Sequence, residues 1–221
     1  MDALTLQAKL FAGYAKAAQR LGLQYGIYRP VNGSTAFNTN LITTVYAQFT
    51  EHSATQFSFG KPHDYKAPEH HILADLTLAQ NGDYMLGPNG ETYFIANIDL
   101  NKPPLGIVCN ATVTVTRRAP PSVAKGFDPD YGATSKAGPN PDNVTLASFP
   151  ASLLRQARGN GQDLIPGEGK RGIFELKLPA IPGFNFRPSD NISDAIGFNY
   201  TVSLAELTSL GWRLFVEQQF V

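Results

Sequence analysis

The chain has 221 residues, with 18 basic and 18 acidic side chains, and charged residues make up only 16% of it. A net charge of zero argues against a strongly basic nucleic-acid-binding protein, and 43% hydrophobic residues argue against a disordered chain. The single cysteine, Cys109, excludes an intrachain disulfide. No apolar run approaches the ~18 residues of a membrane span. We therefore expect a globular protein made in a reducing cytoplasm, with no membrane contact.

The N-terminal segment predicts an amphipathic helix over residues 2–21. Asp2 is a suitable N-cap, apolar side chains recur every three or four positions, and Gly22 is a plausible stop. The simpler interpretation is a helix packed on its own domain. The alternative is an arm that docks on a neighbouring subunit.

The strongest β pattern lies between residues 41 and 117. Alternation predicts strands at 41–50 and 107–116, and Cys109 is interpreted as a small buried hydrophobe within the second. The stretch "NGDYMLGPNGETYFIANI", from Asn81 to Ile98, predicts a hairpin. Its second half is apolar on both faces, so we expect both faces to be covered.

The closely spaced short strands favour a mainly β fold, either a β-barrel or a sandwich. The segment 118–170 is rich in Pro, Gly, Asn and Ser, and it predicts a long irregular insertion that contains one short helix at "PASLLRQAR". Strands return at "GIFELKLP" and in the C-terminal segment, where we expect a turn or a single helical turn near 205–207. No internal repeat is evident, so the pattern predicts one β domain completed by its last strands. The predicted divisions are an N-terminal helix (1–24), a β-rich core (25–117), an extended loop or arm (118–170) and C-terminal strands (171–221).

Motifs that carry chemistry are weak in this sequence. The four histidines and the cysteine form no zinc framework, no GxSxG elbow is present, and "GEGKRG" at 167–172 lacks the Walker spacing. We therefore predict no catalytic residue, no metal site and no cofactor. A carboxylate pair that only the fold brings together stays open.

Two stretches resemble structural proteins of tailed bacteriophages. The hairpin region "GDYMLGPNGETYFIANIDLNKPPLGIVCNATVTVTR" is similar to a hairpin of head–tail joining and neck proteins, including β-barrel stoppers. The C-terminal "YTVSLAELTSLGWRLFVEQ" resembles the final strand pair of phage minor structural proteins. The N-terminal "LQAKLFAGYAKAAQRLGLQYGIYRP" completes the pattern, and together these stretches cover 80 of the 221 residues.

The resemblance implies a non-enzymatic virion protein that forms a homo-oligomeric ring between capsid and tail. Its partners would be the portal or adaptor above and tail proteins below, bound through protein–protein interfaces. Some such proteins hold packaged DNA, and the slight basic excess between Arg117 and Arg171 suits non-specific DNA contact. The protein would be made in the bacterial host cytoplasm and reside in the virion, at the head–tail region.

Three residues of the 118–170 segment are the candidate interface anchors: Tyr131, Phe149 and Leu153. Apolar side chains in a polar extension need burial, either against a neighbouring subunit or locally on their own domain. Two further functional classes stay open. One is a tail-fibre adaptor or baseplate component, and the other is a β-rich hydrolase or carbohydrate-binding module.

Overall fold

The structure, a computed structural model, describes residues 2–51, 68–100, 102–117, 143–155 and 172–219. Its one helix, α1 (Ala3–Leu21), confirms the predicted N-terminal helix. The Asp2 carboxylate accepts the backbone N–H of Leu4 at 3.3 Å and so caps the first turn. Phe11 and Ala18 are buried where α1 packs on the first barrel, described next.

All twelve strands are antiparallel and form two closed six-stranded β-barrels in tandem. The predicted mainly β fold with an N-terminal helix is confirmed. The first barrel contains β1 (Leu23–Tyr28), β2 (Leu41–Glu51), β3 (Glu69–Ala74), β4 (Tyr84–Leu86), β5 (Thr92–Asn97) and β6 (Leu105–Cys109). The second contains β7 (Ala111–Arg117), β8 (Asn143–Arg155), β9 (Ile173–Leu178), β10 (Asn191–Asp194), β11 (Asn199–Thr208) and β12 (Gly211–Gln218).

Each barrel closes without strands from the other. The strand order is β1-β2-β3-β6-β5-β4 in the first and β10-β11-β12-β9-β8-β7 in the second, which is the same circular order. Pairing of β1 with β4 closes the first barrel, and pairing of β7 with β10 closes the second. The expectation that C-terminal strands complete a single β domain is therefore wrong. They belong to a second barrel.

The second barrel repeats the first in strand order and, apart from one additional shift between Val113 and Val115, in register. Ile27 pairs with Thr43 in the first barrel as Val115 pairs with Leu146 in the second, and each ladder shifts register immediately afterwards. A second shift follows Ile95 in β5 and Val202 in β11, at equivalent positions. The expectation that the chain contains no repeat is wrong, because the repetition lies in the pairing rather than in residue identity.

The interiors of the two barrels correspond position by position. Seven equivalent pairs point inward, and all fourteen side chains are at most 5% exposed. Their burial drives the closure of both barrels, because each large apolar side chain contributes roughly 1.5–3 kcal/mol when fully buried. The pairs are Tyr25/Val113, Ile27/Val115, Ala47/Ala151, Ile72/Leu176, Ala74/Leu178, Met85/Ile192 and Ile95/Val202.

A buried ion pair is repeated in the same place. Arg29 and Asp83 join the end of β1 to the start of β4, and Arg117 and Asp190 do the same for β7 and β10. In each pair Nε and Nη2 of the arginine donate to the two carboxylate oxygens at 2.7–2.8 Å. A backbone N–H three residues before the aspartate donates to the same carboxylate at 2.8 Å. The hydrogen bond to the carboxylate raises the pKa of both arginines.

Two local predictions are wrong. "PASLLRQAR" was expected to form a short helix, but residues 150–155 continue β8, which pairs with both β7 and β9. Two flanking ladders outweigh the helix propensity of Ala, Leu and Arg. The turn expected at 205–207 is also strand, because β11 runs on to Thr208 before the chain reverses.

The predicted strand at 107–116 is in fact two strands, β6 and β7, one from each barrel. Asn110 alone separates them, and its side chain bonds Leu153 of β8 twice: Nδ2 donates to the carbonyl at 2.9 Å, and Oδ1 accepts the N–H at 2.7 Å. Ile107 lies on the outer face of the first barrel and Val113 in the interior of the second, and both belong to the same hydrophobic cluster, which runs across both barrels.

Candidate interaction surfaces

One contact surface of the chain lies between its own barrels. The outward side chains of β4, β5 and β6 would face solvent in an isolated barrel, but the second barrel covers them. Phe94 and Ile95 point to opposite faces of β5 and are both 0% exposed, so the predicted two-sided burial of this hairpin is confirmed. The covered outer face consists of Tyr84, Phe94, Ala96 and Ile107, each at most 3% exposed.

Tyr84 is the central contact of this interface. Its hydroxyl donates to the carbonyl of Pro150 at 2.8 Å, and its ring lies 6.3 Å from the ring of Phe149. Burial raises the pKa of Tyr84 well above its ordinary value. At the margin, Lys177 Nζ donates to Glu69 Oε1 at 3.0 Å. The barrels are thus joined by an apolar, aromatic centre with a charged rim.

The three predicted anchors fall in different environments. Tyr131 lies outside the described residues. Phe149 is 0% exposed and contacts Tyr84 of the same chain, so it anchors the barrels to each other and is not accessible to another subunit. Leu153 is half-buried and packs against the same core. For Phe149 and Leu153 the local-packing alternative describes the structure, because β8 lies inside the second barrel rather than in an extended arm.

The corresponding outer face of the second barrel is polar. Asn191, Thr201, Ser203 and Glu217 occupy the positions of Tyr84, Phe94, Ala96 and Ile107. Gln219 Nε2 donates to Asn191 Oδ1 at 3.3 Å across this face. A polar surface is expected here, because no described element packs on this face.

The β11–β12 hairpin carries a second surface. Beyond Val202, β11 pairs with β12 alone among the described strands, so the other edge of Leu204–Thr208 is open there. Leu204 is 52% and Leu207 55% exposed. Leu210 in the turn is 37% exposed. An open strand edge with exposed leucines is a suitable site for strand addition by another protein.

A groove on the first barrel forms the third surface. It lies between α1, β2 and the loop that follows β3, with a volume of about 250 Å³. Tyr46 is 46% and Leu78 62% exposed at its edge. The lining residues are Ala15, Gln19, Thr43, Thr44, Val45, Tyr46, Asp75, Thr77 and Leu78.

A cleft of about 330 Å³ opens between the barrels beside Cys109 and Asp194. Burial raises the pKa of the Cys109 thiol far above its ordinary value, so the thiol is not an activated nucleophile. The Asp194 carboxylate accepts three backbone N–H groups through Oδ1. Tyr200 also donates to Asp194 Oδ2 at 3.2 Å. We therefore assign structural roles to both Cys109 and Asp194.

Two further observations concern the described part of the chain. Within it, no three His, Cys, Asp or Glu side chains lie close enough to hold a metal ion. No helix found there has the length and apolar character to cross a membrane.

Comparisons with known proteins found no match: no protein-family model, curated protein or solved structure is similar to this chain.

Proposed function

We propose that this protein is an assembly component of a tailed-phage virion that works through protein–protein contacts, most specifically as a ring-forming head–tail connector or neck protein. The open apolar edge of β11 is the observation that carries the assembly role. Leu204, Leu207 and Leu210 project from one hairpin, and the strand beside them offers unpaired backbone groups among the described residues. The station in the virion rests on the sequence resemblance.

The rigid connection of the two barrels suits this role. A connector holds two neighbours at a defined separation, and Asn110 joins the barrels with no flexible linker. The β11 hairpin belongs to the second barrel and the groove beside α1 to the first, so each barrel brings one contact surface. Oligomeric rings use two different patches in this way, because head-to-tail contacts close a ring when the rotation allows it.

The test is immunogold labelling of phage particles from the source lysate, with an antibody to this chain, read by negative-stain microscopy. Gold at the junction of head and tail is the expected result. Gold at the tail tip or fibres would keep the virion role and replace the neck with the adaptor or baseplate station. Unlabelled particles, with the protein soluble in the lysate, would overturn the proposal.

A paired substitution then tests the β11 edge. We expect the Leu204→Ser/Leu207→Ser double variant to fold normally, because both side chains are half-exposed, and to be lost from particles. Ile196→Ser is the matched control, since Ile196 is 83% exposed and lies outside the hairpin. Equal incorporation of the double variant and the control would show that this edge does not carry assembly.

A further inference from the structure

The groove on the first barrel corresponds to the surface of the second barrel that receives the first. Strand pairing gives the equivalences: Thr43 pairs with Ile27 as Leu146 pairs with Val115, and Tyr46 pairs with Gln24 as Pro150 pairs with Thr112. Three groove positions are thereby matched to positions of the second barrel: Thr43 with Leu146, Val45 with Phe149, and Tyr46 with Pro150. Between the first two, β8 has Ala147 and Ser148 where β2 has Thr44 alone, because the β7–β8 ladder shifts register there.

On the second barrel, these positions contact the first barrel. The N–H of Ala147 donates to the carbonyl of Gly33 at 3.0 Å. Gly33 lies so close to β8 that a Cβ on it would be 2.8 Å from the Thr145 carbonyl oxygen. Beside this loop contact, Tyr84 packs on Phe149 and bonds Pro150. The occupant of the second barrel's surface is thus a glycine-containing loop with a tyrosine next to it.

On the first barrel, the corresponding stretch Thr43–Tyr46 lines the groove. The helix α1 packs on β2 and β3 beside it but leaves Thr44 and Tyr46 exposed. The remaining volume of about 250 Å³ is large enough for a phenol ring. Asp75 is the one carboxylate of the lining, and it disfavours an acidic occupant.

We infer that this groove binds a tyrosine side chain on the surface of a different protein, in the manner in which the second barrel receives Tyr84 of β4 beside the loop that contains Gly33. A second copy of this chain is the poorer occupant. Its first barrel already uses Tyr84 internally, and its second barrel has Asn191 and Thr201 where the first has Tyr84 and Phe94. This inference rests on the proposed assembly role, and it names the surface and the side chain through which that role is performed.

The probe for the test is N-acetyl-L-tyrosinamide, titrated into the ¹⁵N-labelled full chain and followed by amide chemical shifts. We expect saturable shifts at Thr43–Tyr46 and at Thr77 and Leu78, with a Kd of about 1–10 mM, as befits one isolated side chain. N-acetyl-L-phenylalaninamide is expected to bind about threefold or more weakly because it lacks the hydroxyl donor. N-acetyl-L-leucinamide serves as the non-aromatic control.

A groove-filling variant and its control complete the test. Thr44→Trp places an indole in the groove from an exposed position and should abolish the shifts, whereas Ser203→Trp, on the exposed face of the second barrel, should leave them unchanged. Shifts that survive Thr44→Trp, that fall elsewhere, or that never appear would overturn the inference. Self-association of the chain that Thr44→Trp removes would identify a second copy as the occupant and overturn the choice of a different protein. None of these results depends on where gold labels the virion, so the two proposals fail separately.

Discussion

The two barrels share their interiors and differ in their outer faces. Ile27 and Val115 occupy the same inward position and are both 0% exposed, whereas the outward position that holds Phe94 in one barrel holds Thr201 in the other. Inward residues are constrained by closure of the barrel and so keep their apolar character. The polarity of outward residues depends on whether another element packs on them. The comparison therefore separates the residues that specify the fold from those that specify its contacts.

The largest expected effect comes from truncating the covered outer face. Phe94→Ala should lower the free energy of unfolding by about 3–5 kcal/mol, because it opens a cavity under the second barrel. The equivalent Thr201→Ala should change it by less than about 0.5 kcal/mol. Urea unfolding of both variants measures the difference. Equal effects would mean that the two outer faces are not distinguished by burial.

The repeated ion pair should respond equally in both barrels. Asp83→Asn and Asp190→Asn each leave an arginine without its carboxylate, and the aspartate side chains are only 2% exposed. We expect each to lower the free energy of unfolding by about 2–3 kcal/mol, since partial exposure of the arginines moderates the loss. Asp99→Asn, at an exposed ion pair, should have no measurable effect. Values for Asp83 and Asp190 that differ several-fold in urea unfolding would show that the two pairs are not equivalent.

The turn before each repeated aspartate offers a smaller comparison. Gly82 and Ser189 occupy the same position and both have a positive φ, +94° and +72°. Serine is strained there and glycine is not, so Ser189→Gly should raise the free energy of unfolding by up to about 1 kcal/mol, and Gly82→Ser should lower it similarly. Thermal unfolding of the two single variants measures these changes in stability. Changes of the same sign would show that the two turns are not equivalent.

The smallest effect at neutral pH concerns the buried tyrosines. Burial, with Asp194 nearby, raises the pKa of Tyr200 to about 12, and burial raises the pKa of Tyr84 as well. A raised pKa in the folded chain means that stability is full below the unfolded value of about 10 and is lost as the pH rises through the folded values. Absorbance at 295 nm should show late ionisation, and Tyr84→Phe should reduce the loss of stability above pH ~10. An alkaline transition unchanged in Tyr84→Phe would contradict this assignment.

The sequence predicted the elements whose local patterns are strong. Three such features are the cap at Asp2, the alternation of the inward valines and the turn between β4 and β5. Each depends on interactions between residues that are close in the sequence. The repeat was missed because its two halves share pairing rather than identity. A faint signal exists: Asp83, Gly90 and Ile95 have the same spacing as Asp190, Gly197 and Val202. The same backbone hydrogen bond recurs at these positions. The N–H of Ile95 donates to the carbonyl of Asp83, and the N–H of Val202 donates to the carbonyl of Asp190.

The contact surfaces were harder to predict, since they depend on how the barrels pack. Phe149 was expected to need burial, either against a neighbouring subunit or on its own domain, and the first barrel provides that burial within the chain. The groove at Tyr46 has no sequence motif at all. It becomes visible only when strand pairing matches it with the occupied surface around Pro150.

The single-residue connection at Asn110 has a mechanical consequence. Domains joined by flexible linkers move independently by default, but here the backbone passes from β6 to β7 through one residue that is bonded to β8. A load applied to one barrel would pass to the other through the backbone at Asn110 and through the hydrogen bonds of Asn110 with Leu153. The two barrels would then respond to such a load as one body.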